Sequence, residues 1–106
     1  MEHYTYRVTW SSEEREYVGL CAEMPLLSHF DKSREGALKG IAKLVRGVVD
    51  DMRAKGETPP EALADRDYSG VFKVRVPPSV HRELVLAAAE EGVSLNRIVQ
   101  ARLARP

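Results

Sequence analysis

Disulfide chemistry is the first thing this sequence lacks: its 106 residues hold one cysteine, Cys21, which has no partner within the chain. A lone thiol fits a reducing compartment, so the cytoplasm is the plain expectation. Long apolar runs are missing as well. None approaches the roughly 18 residues of a membrane helix. The start, Met1-Glu2-His3-Tyr4, runs directly into a strand-like pattern, with no basic leader and no apolar signal core. The histidines, His3, His29 and His81, are scattered without ligand spacing, so neither a metal site nor a cofactor is expected. Cys21 itself lies in an apolar stretch and reads as a small core residue. Low-complexity tracts and internal repeats are also absent. What is present is a globular composition, 43% hydrophobic and 30% charged, which excludes a disordered tail. The length allows one domain or two very small ones.

Net charge is zero, yet the charges are not evenly spread. Residues 1–70 carry ten Lys/Arg against thirteen Asp/Glu, and residues 71–106 carry six against three. A short basic segment thus follows an acidic body, a division that suits a nucleic-acid-binding module attached to something else.

Tyr4-Thr5-Tyr6-Arg7-Val8-Thr9-Trp10 alternates strictly, which predicts a half-buried strand with Tyr4, Tyr6, Val8 and Trp10 on one face. A polar turn follows at residues 11–15. A second strand is predicted over 17–22 and a third, short one over 26–30, after Pro25. Ser33 is a plausible N-cap, and Leu38, Ile41, Leu44, Val45, Val48, Val49 and Met52 recur at helical spacing as one apolar stripe. Lys55 and Gly56 mark the C-terminal stop. The helix is therefore expected to pack on the sheet. Residues 57–70, with Pro59, Pro60 and Gly70, read as a linker.

Beyond the linker, Val71-Phe72-Lys73-Val74-Arg75-Val76 alternates again and Pro77-Pro78 stops it. One helix is predicted from about Ser79 to Glu91, with Val80, Leu84, Ala87 and Ala88 inward. A second follows Ser94, with Leu95, Ile98, Val99 and Leu103. So little chain cannot bury a core alone, and one strand has no ladder partner. Pairing with the same strand of a second copy across a two-fold axis answers both needs. The product is a two-stranded ribbon narrow enough for the DNA major groove. Phe72, Val74, Val76, Leu84 and Ile98 would form the dimer core, and Val71, Lys73 and Arg75 would face outward.

The stretch Phe72-Lys73-Val74-Arg75-Val76-Pro77, a helix, and then Glu91-Gly92-Val93-Ser94-Leu95-Asn96 resembles the ribbon-helix-helix repressors. That resemblance implies base reading by the outward residues Val71, Lys73 and Arg75. It also implies phosphate binding by Ser94, Leu95 and Asn96 at a helix N-terminus. Gly92 would allow a positive φ in the turn between the helices. A wider resemblance, to HicB-family antitoxins, rests on Glu16-Tyr17-Val18-Gly19-Leu20-Cys21-Ala22-Glu23, Ala37-Leu38 through Asp50-Asp51-Met52, Gly56-Glu57, Leu63 through Gly70, and Val74 to Asn96. It implies an α+β fold with three parts. A truncated RNase H-like antiparallel sheet with one long helix spans residues 1–56 and binds toxin, a linker spans 57–70, and a dimerising ribbon-helix-helix spans 71–106. The implied partners are a HicA-type ribonuclease toxin and operator double-stranded DNA. The implied assembly is a homodimer, with pairing into tetramers left open.

An RNase H-like sheet raises the question of catalysis, since such nucleases converge several carboxylates on metal ions. Residues 4–10 contain no Asp or Glu, and Asp50 and Asp51, adjacent on a helix, point about 100° apart. Glu23 and Asp31 are the other carboxylates at hand. No catalytic residue is assigned and no enzyme is expected. An acidic surface of Glu13, Glu14, Glu16 and Glu23 would suit an inhibitor that covers an RNA-binding protein, and the plain alternative is turn and strand-edge charge. Two other classes stay open on the residues alone: a stand-alone repressor with an N-terminal ligand-sensing domain, and an RNA-processing enzyme.

Overall fold

The computed structural model describes residues 3–105; Met1 and Glu2, part of the expected strand-like start, and Pro106 lie outside the described residues. The chain is α+β, with a three-stranded antiparallel sheet and three helices. It divides into two units, Met1–Tyr68 and Ser69–Pro106.

In the first unit, strands β1 (Tyr6–Ser11), β2 (Glu16–Cys21) and β3 (Ser28–Asp31) lie in the order β1-β2-β3. Helix α1 (Arg34–Ala54) packs on all three. The β1–β2 register sets Tyr6 opposite Cys21, Val8 opposite Gly19 and Trp10 opposite Tyr17; Gly19 and Tyr17 in turn face His29 and Asp31 of β3. Opposed residues share a face, so these rows form the side toward α1. Arg7, Thr9, Val18, Leu20 and Phe30 line the other side.

Close helix–sheet approach depends on glycines. A Cβ at Gly19 would collide with the Ala37 carbonyl oxygen and with Ile41. One at Gly36 would strike the Asp31 carboxylate, and one at Gly40 the His29 ring. Ser33 caps α1 as expected, its hydroxyl accepting from the Gly36 amide at 3.0 Å. Asp31 secures that cap by accepting from the Ser33 amide at 2.9 Å and hydroxyl at 3.2 Å. These bonds hold its carboxyl below the usual carboxylate range. At the far end Gly56 takes φ +76° and the Glu57 amide bonds back to the Met52 carbonyl, closing the helix.

Several expectations need correction. The buried row of α1 is Ala37, Ile41, Val45 and Val49, with Val48 and Met52 half-buried beside it. Leu38 and Leu44 are exposed, because a sheet of three strands covers a narrower stripe than the apolar pattern spans. Tyr4 lies ahead of β1, and it is buried. Trp10 is 50% exposed at the far end of its strand, where it meets Tyr17 edge-on at 5.1 Å. Leu26, expected in the third strand, is 97% exposed in the turn before β3.

The largest difference concerns residues 57–68, expected within a linker. They fold back on the sheet and helix. Ala62 is buried in a cluster with Tyr4, Cys21, Met24, Ile41, Val45 and Val49. The Tyr4 hydroxyl donates to the Pro60 carbonyl at 2.6 Å, and the Leu63 amide donates to Glu23 at 2.9 Å. Asp65 pairs with His3 at 2.9 Å. A proline-rich composition signalled the lack of helix or strand and not the lack of packing.

In the second unit, helix α2 (Pro78–Glu91) ends at Gly92, whose φ of +68° is left-handed as expected. Helix α3 (Leu95–Leu103) follows and packs on α2. Residues 71–76, expected as a strand, have no regular structure within the single chain; their expected ladder partner is the same segment of a second copy.

Candidate nucleic-acid interface and partner surface

The second unit holds an unfinished core. Ala88 of α2 and Ile98 of α3 are buried against each other's helices, with Leu84, Ala87, Leu95 and Val99 half-covered. Phe72 is 71% exposed and Val74 62%, and Val76, Val80, Val85, Leu86 and Leu103 are exposed as well. Val80 and Leu103, expected inward, are thus uncovered in the single chain. Fully burying one such side chain is worth about 1.5–3 kcal/mol. Leaving this many outside forfeits most of the stabilisation available to so small a unit. Five candidate dimer-core residues divide accordingly: Ile98 is buried, Leu84 is half-buried, and Phe72, Val74 and Val76 are open.

Val71, Lys73 and Arg75 are also exposed, and they share a short stretch with the open apolar residues. Ser69 shapes its start: the Val71 amide donates to the Ser69 hydroxyl at 3.1 Å, just after Gly70 at φ +83°. At the start of α3 the Ser94 hydroxyl accepts from the Arg97 amide at 3.1 Å, and the Ser94 carbonyl accepts from the Ile98 amide. The amides of Leu95 and Asn96 precede the first intrahelical bonds, so they point out of the helix end with the positive end of its dipole. Arg97 adds a formal positive charge next to them. Such an end can hold an anion.

The four candidate toxin-facing glutamates separate in the structure. Glu13 and Glu14 are exposed in the β1–β2 turn, where the Glu14 amide donates to the Ser11 hydroxyl at 3.3 Å. Glu16 begins β2 and pairs with Lys32 at 3.4 Å. Glu23 is engaged internally. It accepts from the Thr5 amide at 2.9 Å, the Thr5 hydroxyl at 3.1 Å, the Leu63 amide at 2.9 Å and, weakly, the Cys21 thiol. Partial burial alone would raise its pKa. The Leu63 and Thr5 amides outweigh that and hold the carboxyl down at about 2. Glu23 therefore fastens residues 60–65 to the sheet. Sequence reasoning missed that role, since nothing local links Glu23 to a residue forty positions on. For Cys21, burial pushes the thiol up.

One hollow is lined by Thr5, Arg7, Leu20, Cys21 and Pro25 and another by His29, Lys43, Leu44 and Val48; neither lining includes a carboxylate. Among the described residues no cluster of three or more His, Cys, Asp or Glu could hold a metal ion, and no helix is long and apolar enough to cross a membrane.

Fold and site together define an α+β protein with an acidic sheet–helix body and a small basic two-helix unit whose apolar residues lack cover. The HicB family model matches residues 54–103, from the end of α1 to the end of α3, a little under half of the chain. That match supports a HicB-family protein. No curated protein and no solved structure matched the chain.

Proposed function

We propose that this protein is an antitoxin of a toxin–antitoxin system, which neutralises a HicA-type ribonuclease and represses its own operon. The observation that carries the reading is the unfinished core of Ser69–Pro106, which lies almost wholly within the HicB-family match. Two copies of residues 71–76 form an antiparallel ribbon in this account, with Phe72, Val74 and Val76 covered by α2 and α3 of both copies. The ribbon of this homodimer enters the major groove and Val71, Lys73 and Arg75 meet base edges. The open amides of Leu95 and Asn96, with Ser94, hold a backbone phosphate and fix the register. The N-terminal unit, a truncated RNase H-like body in this reading, carries no chemistry. It covers the toxin with the exposed acidic turn of Glu13 and Glu14 and the adjoining Glu16 at the start of β2, and the protein works in the cytoplasm.

A titration of operator and scrambled duplex at one salt concentration tests the DNA side, because such affinities fall steeply with ionic strength. Arg75→Ala should weaken operator binding by about 1–3 kcal/mol and Lys73→Ala by a similar or smaller amount, with random DNA less affected. Parent-like operator binding by both folded variants would withdraw the base-reading assignment.

A further inference from the structure

Strand β1 closes one end of the sheet, and its outer edge carries no further strand among the described residues. The Ala22 amide donates to the Thr5 carbonyl at 2.9 Å, one step beyond the Tyr6–Cys21 pair of the ladder. Antiparallel hydrogen bonding alternates from that point. Thr5, Arg7, Thr9 and Ser11 therefore direct their backbone groups toward β2, whereas Tyr6, Val8 and Trp10 direct theirs out of the sheet. The outward set is symmetric about Val8.

We propose that this edge pairs antiparallel with the same edge of a second copy of the chain, across a two-fold axis at Val8. In that register Val8 meets Val8 and Tyr6 meets Trp10 of the second copy. Every outward N–H and C=O of these residues then finds a counterpart, and each face of the sheet continues across the junction. Registers shifted along the strand leave groups at one end unpaired. The side chains agree with the centred register. Trp10, half exposed, gains the Tyr6 ring as a cross-strand neighbour, a favourable aromatic pair. Arg7, the only charge in β1, falls opposite Thr9 and not opposite itself. Apart from Arg7 the strand lacks the usual protections of a free edge, since it holds no proline, lysine or glycine. The β3 edge is a poorer candidate, being four residues long and followed directly by Lys32. The inference concerns Met1–Tyr68 and stands or falls apart from what the C-terminal unit binds.

The native chain gives the first test. Amide exchange followed by NMR should show Tyr6, Val8 and Trp10 protected alongside Arg7 and Thr9 in concentrated solution, with the protection of the first three lost on dilution. Unprotected Tyr6, Val8 and Trp10 at about millimolar concentration overturn the proposal. Cross-linking tests the register. Arg7 and Thr9 of the second copy form a non-hydrogen-bonded pair with Cα atoms about 4.5 Å apart, within disulfide range. The R7C/T9C double variant should oxidise to a covalent dimer on a non-reducing gel, while R7C alone and T9C alone stay monomeric. Adding Val8→Pro, which removes an outward N–H and spares the β2 ladder, should slow cross-linking about tenfold through the two central hydrogen bonds lost. A double variant with the circular dichroism of the folded parent that fails to cross-link overturns the proposal, as does T9C cross-linking equally fast by itself.

Discussion

Replacing Glu23 by glutamine removes the charge that fastens residues 60–65 to the sheet. The carboxylate receives two amides and a hydroxyl, and its pKa drops from the ordinary 4.5 to about 2. A fall of that size corresponds to an upper bound of about 3.4 kcal/mol. The bonds lie at a solvent-accessible site, so screening brings the expected contribution to about 1–2 kcal/mol. Because the folded pKa is depressed, this stabilisation is complete above pH 4.5 and is lost as pH falls toward 2. Urea unfolding of the parent and of Glu23→Gln should therefore differ by about 1–2 kcal/mol at pH 7, with the gap closing as the pH falls toward 2. Trypsin should also cut the variant faster at Arg66, which directly follows that segment. Equal stability at pH 7, or a gap that persists undiminished at pH 2, would refute the assigned role.

Further outcomes are open to measurement. Gly40→Ala should destabilise by about 1–3 kcal/mol, since its methyl meets the His29 ring, whereas Gly47→Ala meets nothing within 4 Å and should stabilise by up to about 1 kcal/mol; thermal unfolding of the pair checks both. Ser94→Ala removes the cap on Arg97, so it should lower stability by about 0.5–2 kcal/mol and weaken operator and random DNA alike in the same titration. Cys21 is buried with its thiol pushed up, so an aromatic disulfide reagent should label it only as fast as the chain opens, and stoichiometric labelling of native protein within seconds would contradict its place in the core.

How far the chain was legible follows from which forces were local. Alternation found β1, and short apolar runs set off by the turn at residues 11–15 and by Pro25 pointed to β2 and β3. Single-residue chemistry placed the ends of the helices, through Ser33, Gly56, Gly92 and Ser94. The misreadings arose where a distant partner decides. Leu38 and Leu44 match the periodicity of α1, but only the width of the sheet determines that they stay outside. Gly19, Gly36 and Gly40 read as ordinary glycines until the helix is laid across β2 and β3. Residues 57–68 carry linker composition, and their attachment depends on Tyr4 and Glu23, which stand far ahead in sequence. In the C-terminal unit the apolar pattern of residues 71–76 was legible, but within one chain these residues stay exposed and without regular structure.

The most direct test of the account is inhibition of a HicA-type ribonuclease by this protein. A purified toxin of that type should lose RNA cleavage at about one equivalent of the full chain and co-elute with it as a complex in size-exclusion chromatography. Undiminished cleavage in the presence of excess folded protein, with the two eluting separately, would contradict the central claim.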